Sequence, residues 1–377
     1  MDNKPLSGIT VLDMSHVLSG PFCTMHLADN GARVIKIERE KGDDARYFGP
    51  FYDNAKSSYF HVINRGKESI RLNLKKLEDL KIFENILKKA DVLVENFRPG
   101  TMDKLGLSPK NLLKKYSKLI ICSISGYGQN GPMAKMPAYD SVVQGISGAM
   151  SFTGKEGGGP TRLGIPLCDL GAGMYAFGAI CAALVGRART GKGTWIDISM
   201  LDSVWTMLEN GLMSVLAKGK DLLGVGNRHH SIAPFDTFCC ADQPITICCA
   251  NDATFLRAMD VLGLAELKEA PQYRTNDLRN QNQAELKRRI EAVLGTKPAE
   301  HWLGKFGIAG VPSGPVNTVS QAVKLEQIAV RDMTPLSGGE PVCGTPFKYS
   351  AYDSHIAQKP APEIDEDGDA LRREFSE

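Results

Sequence analysis

With 45 basic and 43 acidic side chains in 377 residues the chain is nearly neutral, which removes the electrostatic case for a nucleic-acid or anionic-membrane partner. A hydrophobic fraction of 42% with 23% charged residues is ordinary for a globular protein, and the length gives room for a large core and more than one structural unit. Nine cysteines that include Cys239-Cys240 and Cys248-Cys249, but no Cys-x-x-Cys, read as thiols in a reducing cytoplasm, with no metal site and no disulfide framework expected.

The start of the chain shows no apolar signal core, and no uninterrupted apolar run reaches membrane-spanning length. Ile9-Thr10-Val11-Leu12 is a β-rich run, followed by a loop through His16 and Gly20-Pro21 and a helical stretch to Ala28. Asn30-Gly31 supplies a turn into a second strand, residues 33–38, so the first forty residues predict a βαβ unit and a parallel pair. Residues 40–64 lack a clear period and read as a long surface excursion. Order returns with a strand near 69–74, a helix over 77–89 and the strand Val92-Leu93-Val94, which runs straight into Glu95-Asn96-Phe97-Arg98-Pro99-Gly100. Asn96 and Phe97 therefore stand at the carboxyl end of a strand, where ligands collect in open parallel sheets. A helix to Tyr116 and a strand over 119–124 complete the pattern of a doubly wound α/β sheet.

Gly126-Tyr127-Gly128-Gln129-Asn130-Gly131 has the spacing of a dinucleotide fingerprint, but Pro132 and Pro137 interrupt the helix that motif requires. Gly191-Lys192-Gly193-Thr194 lacks the first glycine of a Walker loop. Tyr139-Asp140 is more suggestive, although both also read as ordinary wall and helix-start residues. In residues 164–174 a lone acid, Asp169, sits between an apolar run and Gly171-Ala172-Gly173, and residues 175–185 are small and apolar on every face. This predicts a buried helix with a carboxylate at its start, where the helix N-terminus favours the ionised form and the glycines let a substrate approach the backbone. Such a group suits nucleophilic catalysis, and Asp169 equally suits a plain N-cap. A strand over 195–200 and a helix capped by Asp202 and reaching about Leu216 follow. Residues 1–217 then form the large domain, 218–226 a linker, and 227–310 a smaller α+β domain with two neighbouring strands and three helices. Residues 311–316, Val-Pro-Ser-Gly-Pro-Val, read as a stiff linker.

Taken together, Leu6-Ser7-Gly8-Ile9-Thr10-Val11-Leu12-Asp13, Gly31-Ala32-Arg33-Val34-Ile35-Lys36-Ile37-Glu38, Glu95 to Gly100, Gly126-Tyr127-Gly128, Arg187 to Asp202 and Gly226-Asn227-Arg228-His229 resemble the class III coenzyme A transferase family. The resemblance implies a Rossmann-like large domain completed by residues 311–377, a small domain, and an interlocked homodimer. It implies CoA transfer from an acyl-CoA donor to a carboxylate acceptor, with CoA as substrate and no separate cofactor. Asp169 matches the family's nucleophile. His16, Val17, Arg39, Leu72, Asn96, Phe97 and Lys104 match CoA-contacting positions, and Tyr139 and Tyr59 match residues near the acyl group. Leu18 departs from the glutamine of formyl-CoA:oxalate members, and an apolar side chain there argues against oxalate.

Two rivals remain on sequence. An α-methylacyl-CoA racemase shares the architecture, but that branch carries a histidine base where Tyr139 stands, and a phenol titrating near ~10 is a poor base at neutral pH. A CoA-binding protein without catalysis would not require the acid at Asp169.

Overall fold

Thr10–Asp13 (β1) pairs in parallel with Arg33–Glu38 (β2) on one side and with Val92–Glu95 (β4) on the other. Lys67–Arg71 (β3) extends the sheet beyond β2, while Ile120–Ser125 (β5) and Trp195–Ser199 (β6) extend it beyond β4, all in parallel. The order β3-β2-β1-β4-β5-β6 is that of doubly wound nucleotide-binding sheets. Val92, Leu93 and Val94, like Ile120 and Ile121, are wholly buried, because a parallel sheet covered on both faces leaves no polar side to its inner strands.

The computed structural model describes residues 3–376, and they divide into two compact units. Unit 1 takes Met1–Ala149, Leu163–Leu212 and Glu326–Glu377, and unit 2 takes Met150–Arg162 and Met213–Leu325.

In unit 1 the helices that position the site are Ser19–Asp29 (α1), Ser58–Asn64 (α2), Leu77–Lys89 (α3), Thr101–Lys104 (α4), Pro109–Lys115 (α5), Asp140–Ile146 (α6), Leu167–Thr190 (α7) and Met200–Met207 (α8). In α3 the spacing of Phe83, Ile86 and Leu87 puts one apolar stripe on the core, with Glu78 and Asp79 in the first turn and Lys88 and Lys89 in the last. Full burial of each such side chain contributes roughly 1.5–3 kcal/mol. The helix Gly368–Glu374 returns to this core, where Leu371 and Phe375 join Leu12, Ile35 and Phe83.

Four expectations change. Residues 40–64 are not all loop, since they hold a 3-10 turn at Asp44–Tyr47 and then α2, capped by Ser57. The helix from 200 breaks at Leu208 before Glu209–Lys218, and its cap is Ser199, which accepts the Asp202 amide at 3.1 Å. The proposed stiff linker contains Ser313–Pro315, the third strand of unit 2. Finally, α7 is not buried all round: Met174, Tyr175 and Val185 are exposed. By length and composition alone α7 could also cross a membrane, but it packs against α1, α8, β5 and β6.

Unit 2 is built on Phe235–Cys239 (β7), Pro244–Cys248 (β8) and Ser313–Pro315 (β9), antiparallel in the order β7-β8-β9. Phe238, Ile245, Phe255, Met259, Leu286, Trp302 and Phe306 form its core.

Candidate active site

At the carboxyl edge of the sheet lies a cleft of about 390 Å³, walled by residues 16–19 after β1, 96–99 after β4 and 124–126 at the end of β5, with Tyr139, Asp169 and Met200. Buried charge holds the first of these loops. Lys36 on β2 reaches Asp43 at 2.9 Å and the Ser15 carbonyl at 2.8 Å, and Asp43 accepts the Val17 amide at 3.0 Å. Val17 is thereby kept at φ 64, a left-handed conformation that is costly for a β-branched residue. Beneath it Asp13 pairs with Lys67 at 3.0 Å and accepts from the Ser15 amide and the Thr24 hydroxyl. Burial would push the Asp13 carboxyl up, but Lys67 and Lys36 hold it well below the usual range. Two buried cations and two buried anions thus satisfy one another.

Asn96 ties this loop to β4. Its Oδ1 accepts the His16 amide at 2.9 Å and lies 2.9 Å from His16 Nδ1, while Nδ2 donates to the His16 carbonyl at 2.8 Å. An amide oxygen only accepts, so Nδ1 carries the ring proton and Nε2 is left as an acceptor. Burial lowers the pKa of this imidazole, which leans on Phe97 with ring centroids 5.8 Å apart.

Asp169 is the third residue of α7, and the N-cap position belongs to Pro166. Asp140, at the start of α6, accepts the Cys168 amide at 2.8 Å and the Gln144 side-chain amide at 2.7 Å. Asp140, not Asp169, therefore satisfies an orphan N–H of α7. Nor does the helix end keep Asp169 in the ordinary carboxylate range. Burial, reinforced by the charge of Asp140 and opposed by a hydrogen bond from Ser19, raises it to about 7. A helix N-terminus is worth only about 0.3–1 kcal/mol, too little to offset that burial.

The glycines of α7 also act differently from expectation. A Cβ on Gly173 would lie 2.7 Å from the Ser19 carbonyl oxygen, and one on Gly171 would lie 2.8 Å from Met207 Cε. They let α1 and α8 close onto α7, and neither lines the cleft. On α2, burial and then the charge of Asp169 raise the Tyr59 phenol to about 12, so Tyr59 is a neutral hydroxyl in the field of that carboxylate. Among the described residues no group of three or more His, Cys, Asp or Glu is placed to hold a metal ion.

The cleft and its carboxylate lie at the carboxyl edge of a 3-2-1-4-5-6 sheet, and comparison with known proteins shows the family to which the chain belongs. The sequence pattern of CoA-transferase family III matches residues 6–368. The chain belongs to that family. As a family III member it is an enzyme of the CoA-transferase class. It is 48% identical to an acetyl-CoA:oxalate CoA-transferase of Acetobacter aceti, over 99% of this chain and 96% of that one. It is 37% identical to the human succinyl-CoA:glutarate CoA-transferase, over 95% of this chain and 83% of that one. Among solved structures, a CAIB/BAIF family protein from Brucella suis superposes with a TM-score of 0.89 at 36% identity, covering 99% of this chain and all of the other.

Of the positions that the resemblance carries over to this CoA-transferase, the cleft brings together His16, Val17, Leu18, Asn96, Phe97, Tyr139 and Asp169. Leu72 does not line it, because its side chain is buried in the core beside Leu12 and Phe83. Arg39 and Lys104 are exposed and lie outside the cleft wall, and Arg39 is engaged with Asp44 and with the Gly42 carbonyl. Ser19, Asp44, Arg98 and Met200 line the cleft without having been singled out in the sequence. For Ser19 a signal existed: a serine followed by Gly-Pro at the predicted start of a helix.

Proposed function

We propose that this enzyme moves CoA between short dicarboxylic acids, with Asp169 as its nucleophile. One observation carries the reading: Asp169 is a half-buried carboxylate on the inner wall of the cleft, beside the His16, Val17 and Asn96 positions expected to contact CoA. An Asp169 oxygen attacks the thioester carbonyl, the carbon–sulfur bond breaks, and CoA leaves as the thiolate from a mixed anhydride. The thiolate then attacks the Asp169 carboxyl carbon, releasing the donor acid and leaving an aspartyl-CoA thioester. The acceptor carboxylate displaces CoA from that thioester, and the thiolate takes the acyl group from the second anhydride, restoring the Asp169 carboxylate.

The relatives support the acid class, since their names carry oxalate, glutarate, mesaconate and succinate. Oxalate stays among the acceptors despite the apolar Leu18, because a relative 48% identical over nearly the whole chain is named for it. We further propose a homodimer. The outer face of α7 supports this, where Met174, Tyr175 and Val185 are exposed along with Trp205 of α8, an apolar surface of the kind that marks an interface. All nine cysteines are free thiols, which supports a reducing, cytoplasmic address.

The test is incubation of the purified enzyme in deuterated water with acetyl-CoA or succinyl-CoA and a panel of dicarboxylates, with products read by mass spectrometry. New CoA esters without α-deuterium are expected, and Asp169→Ala should lose them while still binding CoA. Undiminished transfer by Asp169→Ala would overturn the mechanism, and α-deuterium without CoA exchange would establish a racemase instead.

A further inference from the structure

Gln144 lies one turn beyond Asp140 on α6 and is fully buried. Its orientation is set from outside the helix. The Leu163 amide can only donate, and it meets Gln144 Oε1 at 2.9 Å, so the NH2 end of the side chain faces the other way. That NH2 donates to Asp140 Oδ2 at 2.7 Å and to the Ile165 carbonyl at 3.3 Å. Both acceptors also close the start of α7. Asp140 Oδ1 takes the Cys168 amide at 2.8 Å, and the Ile165 carbonyl takes the Leu167 amide, also at 2.8 Å. A helix leaves its first amides without internal partners, and here one buried side chain holds the two groups that satisfy two of them. An NH2 that only donates also requires the Asp140 oxygen it meets to be an unprotonated acceptor.

We propose that Gln144 is a positioning residue of the transfer reaction, whose side-chain amide locks Asp140 and the Ile165 carbonyl onto the first amides of α7, so that Asp169, the next residue, meets the thioester at a fixed angle. The proposal rests on the reading of Asp169 as nucleophile. Gln144 does not line the cleft and acts through the backbone, since Leu163 and Ile165 lie in the segment that enters α7 and Cys168 precedes Asp169 in its first turn. Attack is sensitive to such placement, because an error of about 1 Å costs on the order of a hundredfold in rate. Around Asp140 stand Asp169 and the Cys168 thiol of α7 and the Tyr59 phenol of α2, each raised first by burial and further by acidic neighbours that include Asp140. A second carboxyl placed against Asp140 would enter a site already crowded with acids, and two carboxyls at hydrogen-bond distance do not both ionise without moving apart.

The experiment uses the full-length enzyme and its Gln144→Met, Gln144→Glu and Asp169→Asn variants, with kcat and KM for succinyl-CoA measured from about pH 5.5 to about pH 9 with a saturating dicarboxylate. Gln144→Met keeps the length of the side chain and removes its hydrogen bonds. It should lower kcat about tenfold at every pH, the order of one hydrogen bond to a charged group, with KM within about twofold of wild type. Gln144→Glu is the sharper variant. While the new carboxyl is protonated it still accepts from Leu163 and donates to Asp140, so kcat should lie within about threefold of wild type near pH 5.5. As the proton leaves, the ratio to wild type should fall about tenfold or more toward pH 9 and recover when the pH is returned. Should Gln144→Met fail to fold, Gln144→Glu decides alone, because its low-pH form is its own control. A Gln144→Glu ratio that is flat with pH, a folded Gln144→Met with wild-type kcat, or losses confined to KM overturn the proposal while leaving Asp169 in place. An Asp169→Asn enzyme as active as wild type would remove the nucleophile, and this proposal with it.

Discussion

The carboxylate of Asp140 accepts the amide proton of Cys168 at 2.8 Å and so fixes the turn of α7 whose next residue is Asp169. The same carboxylate takes the side-chain amide of Gln144, whose own oxygen accepts the Leu163 amide at 2.9 Å. Asp140→Asn would remove the like charge beside Asp169, moving the acid limb of kcat/KM to lower pH. It would also bring one amide NH2 against another, and an unsatisfied buried donor costs about 1–3 kcal/mol. A pH–rate profile and a urea melt on the same variant check both halves.

For the wild-type enzyme, attack needs the ionised carboxylate, and Asp169 titrates at about 7. The value of kcat/KM should therefore fall as pH drops through about 7. Stability runs the other way. A carboxyl whose folded pKa is raised binds its proton more tightly in the folded state, so stability declines as pH rises from the unfolded value near 3.8 to about 7. Asp169→Asn should thus melt at a higher temperature than wild type at pH 8, with the gap closing toward pH 4. Equal melting temperatures across that range would show that the site is not desolvated.

Gly173→Ala places a methyl group 2.7 Å from a backbone oxygen, which has no rotamer to escape into. The α1–α7 contact must open by several tenths of an ångström, shifting Asp169 relative to the Ser19 side of the same cleft wall. A loss of about tenfold or more in kcat is expected, with CoA affinity largely retained. By contrast Gly178→Ala, further along α7, meets nothing within 4 Å and should leave turnover unchanged.

Asp43→Ala strands the Lys36 ammonium, whose side chain is 1% exposed. Breaking a buried pair from one side costs about 3–5 kcal/mol, and the Val17 amide loses its acceptor. Reduced stability in denaturant, together with a raised KM for the CoA thioester, would show that this charge network shapes the binding loop.

How much of this was legible beforehand differed by level. Strands such as 92–94 and 119–124 could be read because burial on both faces writes continuous apolar runs, and α3 could be read to its ends from its stripe and end charges. β9 could not, because Ser313-Gly314-Pro315 has no strand character and pairs only because β8 offers an open edge. Asp169 stood out by its flanks, but its titration was misjudged, since helix position is local while desolvation depends on what α6 and α1 bring against it. Ser19 drew no notice for a similar reason: Asn96, whose side chain meets its hydroxyl at 3.4 Å, lies 77 residues away.

The return of Gly368–Glu374 to the core of unit 1 has a consequence for biosynthesis. Leu371 and Phe375 fill the same cluster as Leu12, so residues made first wait for residues made some 360 positions later. Synthesis proceeds from the N-terminus and domains fold as units, so the core of unit 2, complete by Val311, can close while the older half of the molecule still lacks part of its filling. The large unit then finishes last although it begins first, and its unfilled hydrophobic face is what a nascent-chain chaperone would meet.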